Sequence, residues 1–505
     1  MSLDDSFPSI ASSGVIMLTG SVLGRALALG TEALIARSLG PTVFGRIGLA
    51  YTVILTAASV LLVGVNQAIP RLLPAADTER QQASFVQSAY LFALLLGIVG
   101  IIVLFVLVRG PLRGEFELIK YLLLFSPFLV VYPISRISFA VLRSWEQTVP
   151  AIVSRSVVSR VLGLGLWVLI FYLGFSVEAA VGYWLAVPSV TVVFAGYYIR
   201  RRLPLRHLVT MRPEKSAMRR MLSFSWPLAM SSLVFTFLSR MDILMIGYFL
   251  VSREVGYYRA IQPFRQVTVL VLGSFGFLFL PLATRCFETG NLPELDRLFT
   301  SVTKWIVVIT LPVILGFVFF AESIVVFAFG ADYLPAALPL SVLLGGLFVR
   351  TVTGLDGDVV KAIDRPKIEF YSALTGLGSN LVLNILLIPQ YGIVGAAVAT
   401  VVGYAVYNAV ELAAIYRIVG ITPFSWDILK PVAFTTVSAA ALVHVIDVPS
   451  GIIFALGATA LFGVLSVLSV PFTGSIGAAD RILVERLEQR TGREFAVIRR
   501  LFDIE

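Results

Sequence analysis

The sequence predicts an all-α polytopic membrane protein, and three observations predict it. The 505-residue chain is 58% hydrophobic and 14% charged, with a mean hydropathy of +0.92. A soluble domain carries about 45–50% apolar and about 25% charged residues. About fourteen apolar stretches follow one another, each near the ~20 residues that cross a bilayer as a helix. The gaps between them stay below about 25 residues, which leaves no room for an extramembrane catalytic domain.

The predicted spans are 11–36, 43–65, 84–108, 118–142, 150–173 and 178–199, then 222–248, 256–281, 300–320, 335–355, 368–388, 393–416, 431–447 and 451–470. An even number places both termini on one side, and Lys/Arg bias says which. With the N-terminus inside, roughly 25 Lys and Arg fall on inner loops and the tail against roughly 6 on outer loops. The densest inner loop is IRRRLPLRHLVTMRPEKSAMRR, between spans six and seven. Both termini are therefore expected in the cytoplasm, and the net charge of +9 is expected to reflect topology, not nucleic-acid binding. The opening MSLDDSFPS lacks the basic n-region of a signal peptide, so the first span is read as retained. Cys286 stands alone, and His207 and His444 are the only histidines. These counts argue against a disulfide framework, a metal site or His-based catalysis.

The chain repeats itself. LIARSLGPTVFGRIGLA, from Leu34, returns as LMIGYFLVSREVGYYRA, from Leu244. A weaker echo links YLGFSVEAAVGY (172–183) with QYGIVGAAVATVVGY (390–404). An even number of spans separates the copies, so the repeat is parallel, with a substrate path expected between halves near the midplane. The expected organisation is an N-lobe at 11–199, a basic cytoplasmic inter-lobe loop at 200–221, a C-lobe at 222–417, and added spans at 431–470. A basic amphipathic tail at 471–505, with DRILVERLEQRTGREFAVIRRLF at helical spacing, is expected to lie on the inner membrane surface.

Residues 380–400, NLVLNILLIPQYGIVGAAVAT, combine two amides, a turn and a thin helix face. Asn380 and Asn384 share one face at i, i+4, and that face must meet protein or water because unsatisfied amides are costly in lipid. Pro389 and Gly392 close the turn. Gly395, Ala396, Ala397 and Ala399 allow close helix packing. The stretch resembles the eleventh-to-twelfth span hairpin of the polysaccharide-exporting branch of the multidrug/oligosaccharidyl-lipid/polysaccharide exporter superfamily. IARSLGPTVFGRIGLA, SRMDILMIGYFLVSREVGYYRA, FGADYLPAALPLSVLL and GDVVKAIDRPK resemble further stretches of that branch in order, so the similarity covers roughly 11–420. The resemblance implies two six-helix lobes around a central cavity that opens alternately to each side. It also implies lipid-linked oligosaccharide as substrate in the plasma membrane, with glycan polymerases or transferases as partner proteins and no cofactor. Its motifs are architectural, so no binding residue is carried over by motif.

Charges inside spans supply the candidate site. A charge at the bilayer centre costs roughly 2.5–3.5 kcal/mol on insertion scales, so such residues face a cavity, pair or snorkel. Arg25 lies about 16 Å from the outer end of its span at 1.5 Å per residue. Arg240 and Arg265 sit at similar depth. These three are the candidates for a headgroup phosphate in the central cavity, since the guanidinium fork binds phosphate bidentately and keeps its charge when buried. Arg136, Arg155, Arg160 and Arg350, nearer the inner ends, are candidates for a basic inner mouth; Arg259 is a further in-span arginine. For each, the structural alternative is an ion pair or a bond to helix carbonyls. Asp242 and Glu32 either bind a coupling H⁺ or Na⁺ or pair with an arginine. Asn380 and Asn384 are the candidate polar cavity face.

The expected function is a flippase that moves a prenyl-phosphate-linked oligosaccharide to the outer leaflet by alternating access. The chain has no G-x-x-x-x-G-K-[ST] motif, which leaves an ion gradient or product consumption as the energy source. A drug/cation antiporter of the same superfamily is the alternative, but its site should be acidic and aromatic. A membrane-embedded glycan ligase would need paired carboxylate or histidine chemistry on an outer loop. Glu115, Glu117 and Asp332 form no such pair in sequence, so no catalytic residue is assigned.

Overall fold

A computed structural model describes residues 3–76, 78–110, 116–145, 147, 152–203, 214–445, 449, 451–477 and 480. The described secondary structure is entirely helical. Residues 204–213 of the basic loop expected at 200–221, and 481–505 of the expected amphipathic tail, lie outside these residues. Two compact units divide the chain, Met1–Ala260 and Ile261–Glu505.

In the first unit the helices are α1 (Leu3–Val60), α2 (Val65–Leu72), α3 (Glu79–Arg109), α4 (Phe116–Leu124), α5 (Phe128–Ser144), α6 (Ser159–Tyr172), α7 (Ser176–Arg202) and α8 (Lys215–Phe249). A π turn at Ser154–Val158 leads into α6, and α9 (Ser252–Ile261) reaches the end of the unit. The second unit begins with a 3₁₀ turn at Gln262–Arg265, where Pro263 has no N–H to continue a helix. There follow α10 (Gln266–Glu288), α11 (Leu292–Phe319), α12 (Ala321–Phe329), α13 (Ala337–Val352), α14 (Asp356–Ala362), α15 (Pro366–Val419), α16 (Trp426–Val445) and α17 (Ile452–Phe472).

Local chemistry sets several ends. Thr78 caps α3 by accepting the Gln81 amide at 3.2 Å. Asn291 caps α11, accepting from Glu294 N and donating its amide to the Glu294 carboxylate at 2.7 Å.

Among the described residues eleven helices are long and apolar enough to cross a membrane, or twelve if a bent pair counts as one span. The sequence count of about fourteen is higher because α1 and α15 each count once in that number. Neither is a single rod. A straight 54-residue helix would be about 80 Å long, well over twice the hydrocarbon thickness. The backbone breaks at Gly40 (φ 68, ψ 166) in α1 and at Gly392 (φ 58, ψ −139) in α15. Both conformations favour glycine, which has no Cβ to clash. Beyond Gly392 the chain folds back antiparallel. A Cβ on Gly376 would meet the Gly403 carbonyl at 2.9 Å, and one on Gly395 would collide with the Leu387 carbonyl.

The surface of α3 shows why the fold needs lipid. Leu95, Ile98, Val99, Ile102 and Val106 are all exposed on it. In water this would be an aggregating patch; against acyl chains it is the outer face of a span whose backbone bonds are satisfied internally.

The repeated stretches meet in the first unit. A Cβ on Gly45 of α1 would collide with the Ser252 carbonyl and lie 2.7 Å from the Gly256 amide. One on Gly256 of α9 would collide with the Pro41 carbonyl. Pro41 precedes Gly45 by the same interval that separates Ser252 from Gly256. Each copy thus presents its glycine to the other's preceding turn, the reciprocity a two-fold relation requires.

Candidate functional site

In the first unit the candidate charges converge from four elements. α1 carries Arg25 and Glu32 at i, i+7, hence on one face. Gly24, next to Arg25, lets the backbone of α1 touch the π turn, because a Cβ there would collide with the Ser156 carbonyl. The π turn presents Arg155 beside this contact; such one-residue bulges recur at functional positions. The Arg155 guanidinium lies 4.8 Å from the Phe139 ring centroid of α5. Arg136 of α5 and Arg160 of α6 are within electrostatic reach of it. Arg160 donates to the Tyr183 hydroxyl of α7 at 3.0 Å, and the Glu32 carboxylate acts on both. Three guanidinium groups therefore gather at Arg155, with Glu32 acting on Arg160 and exposed Arg25 at the edge of the α1 contact. Such a group can hold a multivalent oxyanion through several charge-assisted hydrogen bonds.

Arg240 and Asp242 of α8 engage different partners, as their i, i+2 spacing requires. Arg240 donates to the Leu55 carbonyl and to the Ser59 hydroxyl of α1, both at 3.0 Å. Asp242 is 1% exposed and accepts from the Tyr258 hydroxyl at 3.1 Å.

In the second unit Arg265 and Arg350 share Tyr404. Arg265 donates to Gln262 at 2.8 Å and to the Tyr404 hydroxyl at 3.2 Å. The two guanidinium carbons stand 5.7 Å and 5.3 Å from the Tyr404 centroid. The ring attracts both cations while they repel each other, an arrangement that favours a shared anion. Asn380 and Asn384 are fully buried; Asn384 donates its amide to Asn380 at 3.0 Å.

Sequence reasoning set Arg259 aside, yet the structure gives it the most elaborate surroundings. It is 7% exposed. Its guanidinium carbon lies 4.9 Å from the ring centroids of Tyr51 and Trp184 and 5.7 Å from that of Phe44. Gly48 makes room, since a Cβ there would collide with the Arg259 side chain. The aromatic partners sit on α1 and α7, far away in sequence, so only the Tyr257-Tyr258-Arg259 run hinted at them. A desolvated cation–π contact is worth about 2 kcal/mol. Arg259→Lys, which keeps the charge and loses the plane, is expected to cost about that much. Thermal unfolding in detergent measures it, and an unchanged midpoint would place the guanidinium elsewhere.

The fold and these sites define a multi-pass membrane protein with arginine clusters set among its spans. The chain belongs to the polysaccharide biosynthesis protein family, whose profile matches residues 10–286, in the polysaccharide branch of the multidrug/oligosaccharidyl-lipid/polysaccharide exporter superfamily. It is 24% identical over 400 residues to the "Probable low-salt glycan biosynthesis flippase Agl15" of Haloferax volcanii, covering 79% of this chain and 81% of that one. Among solved structures it resembles the lipid II flippase MurJ in an inward closed conformation, with TM-score 0.74, 15% identity, and 91% and 98% of the two chains covered. It also resembles an inward-facing multidrug resistance MATE transporter, with TM-score 0.63, 17% identity, and 80% and 98% covered. Both likenesses concern the fold.

Proposed function

We propose that the protein is a flippase carrying a prenyl-phosphate-linked oligosaccharide from the cytoplasmic to the outer leaflet by alternating access. The observation that carries this reading is the gathering of Arg136 and Arg160 within electrostatic reach of Arg155, with Glu32 acting on Arg160. A site that must accept an anionic headgroup needs surplus positive charge, whereas a drug/cation antiporter needs the opposite. The glycan-flippase name of the Haloferax relative supports the same substrate class. In this reading the headgroup phosphate first meets the cluster of Arg136, Arg155 and Arg160 in the first unit, and the prenyl tail stays in lipid. The Lys/Arg bias supports cytoplasmic termini. Glu32 and Asp242 are candidates for ion coupling, and glycan polymerases or transferases for partner proteins.

The first test is a strain lacking the gene. Prenyl-linked oligosaccharide is expected to accumulate protected from an external glycosidase, with surface glycan lost. Normal amounts on the outer face would reject flipping. Arg25→Ala, at an exposed position, is expected to abolish export with expression and unfolding midpoint unchanged. Arg240→Ala also removes two helix-to-helix bonds, so its loss of export is read beside a stability measurement; full export in both variants would sink the arginine assignment.

A further inference from the structure

The second unit buries two carboxylates that the reading above does not use. Glu411 of α15 is 0% exposed and Asp356 at the start of α14 is 6% exposed. Glu411 meets the Tyr407 hydroxyl and Asp356 the Thr353 side chain, and among the described residues neither acid stands within ion-pair distance of a cation. Oδ1 of Asp356 accepts the Gly357 amide at 2.9 Å. The same Gly357 faces the second carboxylate: a Cβ on it would lie 3.5 Å from Glu411 Oε2 and 3.9 Å from the Tyr407 hydroxyl. The missing side chain at 357 leaves the two acids flanking one backbone position, with a phenol beside them.

The surrounding charges do not neutralise the pair. α14 adds Asp358 and Lys361, and the first arm of α15 adds Glu369. Lys361 is held by Asp358 at 3.2 Å and Glu369 at 3.8 Å. From α13, Arg350 acts on Asp356 while standing over the Tyr404 ring. α10 brings Gly276 against Asp358. Asp356, Asp358, Glu369 and Glu411 thus face Lys361 and Arg350, an excess of acid in which Asp356 and Glu411 are the buried members. An ionised carboxylate buried with no paired cation costs several kcal/mol, and two such groups side by side cannot both keep their charge.

We infer that Asp356 and Glu411 form a proton-binding carboxylate pair in the second unit, one proton being held between them and the Tyr407 hydroxyl. Among the described residues no three His, Cys, Asp or Glu side chains are placed to hold a metal ion together, so the pair suits a proton better than a divalent cation. The binding does not rest on the flippase reading, but its use to drive export does.

The test is infrared spectroscopy of the whole protein in lipid vesicles, which needs no substrate. At neutral pH the wild type is expected to show the C=O stretch of a buried carboxylic acid, slow to shift in heavy water and lost as the pH is raised. Glu411→Gln is expected to abolish this band, and Asp356→Asn to shift or abolish it. Glutamine and asparagine keep the shape of the side chains they replace, and the wild-type titration stands whether or not either variant folds. No carboxylic-acid band at neutral pH, or a band unchanged in both folded variants, would overturn the assignment. Glycan export is then compared between the wild type and Glu411→Gln: a wild type that binds the proton but flips no substrate would fault the flippase reading and leave the pair in place.

Discussion

Gly45→Ala is expected to destabilise the protein by at least the upper end of the roughly 1–3 kcal/mol typical of overpacking. The added methyl group would collide with the Ser252 carbonyl and press on the Gly256 amide. Backbone atoms cannot rotate away as a side chain can, so the two helices must separate. Small residues let transmembrane helices approach closely, and van der Waals packing at such crossings replaces the hydrophobic drive that lipid removes. The same logic applies to Gly256→Ala, whose methyl group would strike the Pro41 carbonyl. Because the contact is reciprocal, the two variants should lose similar amounts. Gly165→Ala in α6 is the control: a Cβ there meets nothing within 4 Å, and helix propensity favours alanine by about 1 kcal/mol. Unfolding midpoints in detergent and the yield of monodisperse protein are the readouts. A Gly45→Ala variant as stable as the control would mean that the two repeated stretches do not cross here.

That crossing shows what sequence could and could not reveal. The repeat was visible because both copies enter the next span through an aromatic- or Val-Gly step after a turn, Phe44-Gly45 and Val255-Gly256; nothing in either copy said that the two would pack on each other. The hairpin at 366–419 was legible because its signals are local: an amide pair at i, i+4, a Pro–Gly turn and a run of small residues. Its finer content was not. Asn384 donates to Asn380, and Gly403 approaches Asn380 closely from the second arm. Depth along a span ranked the arginines, but depth carries no information on neighbours. Arg265 and Arg350 were assigned to different levels, the cavity and the inner mouth, yet both stand over Tyr404. Arg259 gained its aromatic surroundings from α1 and α7. Nothing in the sequence joined Glu411, near a span end, to Asp356, which sits past the apolar run of its span.

Asp480→Ala is expected to cost about 3–5 kcal/mol, the range for removing one partner of a buried ion pair. Asp480 is 1% exposed and Lys304, inside α11, is 4% exposed. The carboxylate accepts from the Lys304 ammonium, from Ser301 at 2.9 Å, from the Trp305 indole at 2.8 Å and from the Gly477 amide at 2.7 Å. Lys304 also donates to the Ser475 carbonyl at 2.7 Å. Four donors on one carboxylate tie the segment after α17 to the side of α11, across a sequence separation of 176 residues. Alanine would strand a buried ammonium ion and two side-chain donors. Asp480→Asn keeps the shape but not the charge, so it too is expected to lose stability, though less. Replacing both partners separates the penalty of an orphaned charge from the worth of the pair. Lys304→Met with Asp480→Leu should recover much of the loss, because buried ion pairs contribute little beyond well-packed apolar groups. Thermal unfolding of the two single variants and the double variant closes the cycle. If Asp480→Ala unfolds at the wild-type temperature, the carboxylate does not hold Lys304. If the double variant is no better than the worse single variant, the cluster acts through Ser301 and Trp305 and not through charge.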